Sequence, residues 1–357
     1  MFKTTERARA EASAGTLKHA PLAALLACLA AMPLLGAAGV TYQGWPGPGN
    51  GKYIVMLAGD GGEYHSEEAL PALAKILAVH YGFKCTVLFS INADYGTIDP
   101  RATRNMPGLE DLKKADLMIE FMRWRDLPDS QMKHFVDYVQ SGKPIISMRT
   151  GTHPFWFETS KTYAKWSWNS KVPGWVGGFG GRFLGETWVA HWGKHGQQST
   201  RAMFAPGAAS SPILRGIKNG EIWVTSEVYK VKLPMPPTCK PLLLGQVLSW
   251  VGPGGLDFPV PGKNHPMMPV AWTNHDTAPN GKTARVFATT MGAADDLETE
   301  SFRRLMVNAV FWALGMQVPA KANVGFVGHY RPHSFMSEVY TAGVKPSDLA
   351  LSPKKKK

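Results

Sequence analysis

Short apolar runs alternate with helical stretches and recur about every thirty residues, and this rhythm limits the possible folds more than any other feature of the chain. Residues 53–58 (YIVMLA) are apolar throughout, as a strand buried on both faces has to be. Leu70, Leu73, Leu77 and Tyr81 follow at helical spacing, and Gly82 stands where a C-terminal cap belongs. Residues 85–89 and 117–121 are further strand-like runs, with a short helical stretch at 109–115 between them. Met132, Phe135, Val136 and Val139 predict a helix closed by Gly142, ahead of a fourth strand at 144–148. Residues 242–244, 269–274 and 285–290 predict later strands, and Phe302, Leu305, Ala309 and Trp312 a closing helix stopped by Gly315. The pattern implies an α/β fold, doubly wound, with a mostly parallel sheet covered on both faces and its site at the carboxyl ends of the strands. Between residues 155 and 201 the rhythm breaks into a Trp/Gly-rich insertion holding Trp156, Trp166, Trp168, Trp175, Trp188 and Trp192. A loop region this long in a domain is functional or inserted.

The ends divide the chain further. Basic residues precede an apolar run at 21–40, and Gly36 and Ala38 resemble a leader-peptidase site, so residues 1–38 are expected to be a signal peptide cleaved before Gly39. The protein is then exported, periplasmic or secreted, and retains no stable membrane span. An N-terminal membrane anchor is the alternative. A Gly/Pro linker is expected at 39–50, the α/β domain at 51–315, and a C-terminal extension with a Lys tail at 316–357. Four lysines end the chain and four more positive residues lie in the leader, so the formal charge of +12 does not imply a basic groove. No nucleic-acid motif accompanies it, and nucleic acid is not an expected partner. Cys85 and Cys239 belong to distant segments and read as separate buried thiols. There is no CxxCH, no zinc-type CxxC, no Walker loop and no GxGxxG, so no cofactor is expected.

Polar candidates gather in four places. His65 follows the first strand in a glycine-rich loop (Gly59, Gly61, Gly62) that leads into a helix. Arg149 and His153 lie in the turn after the fourth strand, where many α/β hydrolases keep a nucleophile, but only Thr150 and Thr152 carry hydroxyls there. Arg149 offers a planar fork of donors for an anion or a sugar hydroxyl. Glu186, Trp188, His191 and His195 form the third group: aromatic faces beside His and Glu suit a sugar ring, and a Trp cluster can equally be ordinary core. The histidines at 191 and 195 lack the HExxH context, so no metal is expected; they are the best metal alternative, with His153 or Glu186. Glu227 and Tyr229 point to one face if their segment is extended, and Glu227 is then a candidate acid or base.

The order of these motifs resembles the ThuA (trehalose utilisation) family. The His65 loop, residues 115–119 (ADLMI), the turn after 144–148, the stretch ending at His191, the Glu227/Tyr229 pair, residues 269–273 (PVAWT) with Gly281 and 285–287 (RVF), and residues 308–315 (NAVFWALG) carry the likeness across nearly all of 51–315. The resemblance implies a flavodoxin-like sheet similar to class I glutamine amidotransferases and a link to sugar metabolism. It implies a small carbohydrate derivative as partner. The chain would act on it as a hydrolase or lyase, or hold it as a non-catalytic binding module. His65, His153, His191 and Glu227 become the catalytic candidates, and Arg149, Tyr229, Trp188 and Glu186 the substrate-binding ones. The amidotransferase cysteine is absent, Arg149 stands where many ThuA-like chains have His, and Gly292-Ala293 stands where many have Gly-His.

Overall fold

The computed structural model describes residues 38–249, 258–337 and 339–351, all within one unit, Gly36–Lys357. The expected leader, apart from Ala38, and the terminal lysines lie outside the described residues. Among the described residues, no helix is long and apolar enough to cross a membrane.

Five adjacent strands form the parallel centre of a ten-stranded sheet: β3 (Lys84–Phe89), β2 (Tyr53–Gly59), β4 (Leu117–Met122), β5 (Ile145–Met148) and β12 (Thr283–Thr289). Strands β2 to β5 and β12 are the apolar runs expected from the sequence. Helix α1 (Ser66–Tyr81) and helix α3 (Glu300–Ala313) cover one face, while α2 (Asp129–Gln140) covers the other. Gly82 caps α1 in the left-handed conformation, φ 81°, returning its N–H to Ala78 O.

Beyond β12 the sheet continues antiparallel through β11 (Met268–Thr277), β10 (Lys240–Ser249), β7 (Gln198–Phe204) and β8 (Ile222–Val224). β11 and β12 are joined by a tight turn closed by Ala278 N to Lys282 O, and antiparallel neighbours need no crossover helix. The 155–201 stretch is therefore not all insertion, because its end supplies β7. Its first part packs aromatic side chains over α2: Trp166 and Trp175 join Phe135, Phe179 and Phe183 in the second core.

The segment at 39–50, read as a linker, opens with an edge strand, β1 (Gly39–Tyr42), paired antiparallel to β3. The stretch from 316 is mostly turns, yet it wraps the domain. Val318, Ala322, Val324 and Phe335 are buried in the first core, Ile98 N donates to Val344 O, and Tyr42 hydroxyl donates to Leu349 O. Cys85 and Cys239 are separate buried thiols.

Candidate functional site

The carboxyl ends of β2, β4, β5 and β12 converge, as the parallel topology requires, and a second pairing meets them there. Strands β6 (Ala190–His191) and β9 (Tyr229–Lys230) form a two-stranded ladder that sets His191 opposite Tyr229. Trp192 and Gly193 N–H both donate to Val228 O, which fixes the loop carrying His195 beside Glu227.

Glu227 is the centre. Its side chain is fully buried, and Arg149 Nη2 donates to its Oε1 at 2.6 Å. His191 Nδ1 lies 2.8 Å from the same oxygen, and His195 Nδ1 lies 3.3 Å from Oε2. The Tyr64 hydroxyl donates to Oε1 at 3.4 Å. His195 reaches back through Nε2 to Glu63 Oε1 at 3.5 Å, and Glu63 pairs with Arg123. The two imidazoles are more than a third exposed, at 38 % and 37 %, so a buried carboxylate presents two rings to whatever binds above it.

Arg149 is a different residue from the one expected. It sits at the tip of the turn after β5 with φ 47°, a left-handed conformation uncommon outside glycine. The turn, Arg149–Thr152, presses onto the sheet: a Cβ at Gly151 would lie 2.1 Å from Glu120 Oε1, so only glycine fits. The Arg149 guanidinium is fully buried between the Tyr64 and Tyr229 rings, 4.4 and 4.0 Å from their centroids. Its Nη1 donates to the backbone oxygens of Glu227 (2.8 Å) and Thr290 (2.5 Å). Expected as a ligand fork, it holds the Glu227 loop instead. Burial alone would raise the Glu227 carboxyl, but Arg149 first, and then His191 and His195, hold it well below the usual carboxylate range. Burial pushes the Tyr229 hydroxyl up to about 12.

His153 is buried behind the exposed pair, its ring 5.5 Å from Trp188 and 6.1 Å from Tyr229. Burial, reinforced by the positive charges of Arg123 and Arg149, drives its pKa well below the ordinary value and keeps it neutral. Trp188 also edges His191, centroids 5.7 Å apart, and the aromatic wall continues through Trp168 to Trp124 and the exposed Trp156.

Two expected residues point elsewhere. Glu186 accepts the backbone N–H groups of Thr187 and Lys232, so its carboxylate is spent on the chain itself. His65 is buried at the start of α1, beside Glu67 and against Ser334 O and Ser337. Both of its nitrogens face acceptors; burial opposes protonation, but Glu67 and the neighbouring acids outweigh it and raise its pKa to about 9. His65 therefore stands outside the cluster that Arg149 and Glu227 form. Its neighbour Tyr64 enters the cluster in its place.

Sequence reasoning also missed Glu63 and Asp296. Asp296 is fully buried and accepts from Ser226 N and Oγ, Thr225 Oγ1, and the N–H groups of Gly292 and Ala293, tying the Glu227 loop to the one after β12. An isolated Asp-Asp pair in sequence gives no sign of this. For a metal, His191, His195 and Glu227 each offer a ligand atom, all within 4.8 Å of one another; Glu227 completes that set, not His153 or Glu186. A concavity of about 910 Å³ lies at the opposite end of the sheet, lined by Lys240, His275, Arg285 and Trp312, and is separate from this cluster.

No curated protein matches the chain. Among solved structures it is similar to a putative ThuA-like protein from Bacteroides uniformis, with 16 % identity, 75 % of this chain and 93 % of that one covered, and a TM-score of 0.46. It is likewise similar to one from Parabacteroides merdae, with 14 % identity, 75 % and 91 % covered, and a TM-score of 0.47. The family model described as trehalose utilisation, ThuA, matches residues 54–313, most of the chain. The chain belongs to the ThuA family.

Proposed function

We propose that the protein is exported and acts on a carbohydrate derivative by proton transfer, as a lyase or hydrolase that forms no covalent intermediate at the turn after β5. The observation that carries this reading is the buried Glu227 carboxylate bridging two half-exposed imidazoles, His191 and His195. A carboxylate behind a histidine fixes its tautomer and orientation and stabilises its charged form, the arrangement an acid–base pair needs. The second histidine gives a partner for the reverse transfer. Trp188 beside His191 offers an apolar face for a sugar ring. Arg149 occupies the position a nucleophile would take, and both its terminal nitrogens are bound to the Glu227 loop and Thr290, so it is a positioning residue. Export is supported by the leader-like sequence and by β1, which begins at Gly39, directly after the expected cleavage point. Mass spectrometry of the exported protein should find Gly39 at the N-terminus; an intact leader in the membrane fraction would mean an anchor instead.

The test of the chemistry is NMR in D₂O with a panel of sugars and their keto and acid derivatives. A substrate should exchange a carbon-bound proton or lose a group with wild type. His191→Ala and Glu227→Gln should abolish this. Saturable binding with neither exchange nor turnover would favour the second reading, a carbohydrate-holding module, for which the alanine at 293 in place of the family's common histidine speaks.

A further inference from the structure

The side chains around His65 form a second cluster, at the first turn of α1 and distinct from the carboxylate that His191 and His195 share. His65 and Glu68 lie three apart at the helix start, which brings them to one face. His333 comes in from the C-terminal stretch: its Nδ1 lies 2.5 Å from Glu68 Oε1, its N–H donates to Glu68 Oε2, and its ring is 5.4 Å from that of His65. We propose that His65, Glu68 and His333, with Glu67 as a further carboxylate ligand, form a site for a divalent transition-metal ion of the zinc or manganese type.

One ligand atom from each of His65, Glu68 and His333 lies within 4.8 Å of the others. Ligands at about 2.1 Å around a tetrahedral ion sit roughly 3.4 Å apart, so the His333–Glu68 pair would open to admit the ion while His65 closes on it. Imidazole and carboxylate without thiolate are the donors such ions take. With both imidazoles neutral, Glu67 and Glu68 leave two negative charges, the complement of one divalent ion. An independent observation points the same way. Glu67 Oε2 is enclosed and has no hydrogen-bond partner, although its other oxygen lies beside His65. A buried carboxylate oxygen left unpaired is costly, and a cation held by both oxygens of Glu67 would satisfy it. A cavity of about 190 Å³ is walled in part by Glu67 and Glu68. The ion would also clip the C-terminal stretch to α1. Phe335, two residues beyond His333, stacks on Tyr64 and edges His195, and the clip would hold it there.

The experiment strips the mature protein with chelator, equilibrates it with Zn²⁺, dialyses it and measures retained metal, with circular dichroism to confirm folding. About one equivalent should remain on wild type and on the His191→Ala/His195→Ala double variant, against less than about a tenth on His333→Ala and Glu68→Gln. Zn²⁺ should raise the melting temperature of wild type and leave that of Glu68→Gln unmoved. Three results would overturn the site: no zinc on wild type, full retention by both His333→Ala and Glu68→Gln, or loss of zinc only from the His191/His195 variant. Should His333→Ala fail to fold, Glu68→Gln decides the matter alone.

Discussion

A guanidinium enclosed by two tyrosine rings, two backbone oxygens and a carboxylate is committed to the protein. Removing it leaves Glu227 buried without its cation. Arg149→Ala should therefore lower stability by about 3–5 kcal/mol in urea titration, the cost of breaking a buried pair. A loss under about 1 kcal/mol would show that the exposed imidazoles suffice to hold the carboxylate. Two buried glutamates should give opposite pH signatures. Glu227 is depressed in the fold, so its contribution is present above the unfolded carboxylate range and lost as pH falls through its folded value. Glu120, beneath Gly151, is raised by burial to about 8. Its unfolded form ionises first as pH rises, so it costs stability on the order of 4 kcal/mol progressively between about pH 4.5 and 8. Glu120→Gln should flatten urea stability across that window, and an unchanged slope would mean that Glu120 is ionised in the fold. His191→Ala and His195→Ala remove half-exposed rings and should change stability by about 1 kcal/mol or less while ending turnover.

The pairing of β6 with β9 and the hydrogen bonds to Asp296 decide where those rings stand. Asp296→Ala strands several buried donors at once and should cost on the order of 3 kcal/mol, with loss of ligand binding, by urea titration and calorimetry. Binding at wild-type strength in a folded Asp296→Ala protein would show that the Glu227 loop is held without it. The apolar runs that became β2, β3, β4, β5 and β12 were legible because strands buried on both faces carry unbroken hydrophobicity. β6 and β9 were not, because each has two residues and draws its order from its partner. β7 escaped notice because half-buried Gln198–Phe204 lacks a continuous apolar run. The structure brings Glu227, Tyr229, His191, His153 and Trp188, singled out by residue type and local pattern, into one cluster. Which residue of the first loop faces the cluster, Tyr64 or His65, goes with the path of a segment 269 residues away, and no local pattern records that.

The domain is not complete at the end of its last helix. Val318, Ala322, Val324 and Phe335 fill the core that α1 and α3 share, so a chain ended after Gly315 uncovers apolar surface and the Tyr64 ring together. Such a truncation should melt several degrees lower in calorimetry and bind a hydrophobic dye. A melting point equal to that of the longer chain would show that the wrap is dispensable. The bond from Tyr42 to Leu349 joins residues 307 apart, and the first of them lies in the strand that opens the fold. A ribosome delivers that strand 307 residues before its partner. The nascent chain therefore spends nearly all of its synthesis with one sheet edge unfastened and the first loop uncovered. Whatever holds it in that interval meets a polypeptide that cannot yet close, so the first loop is covered only once the segment carrying Phe335 and Leu349 has emerged.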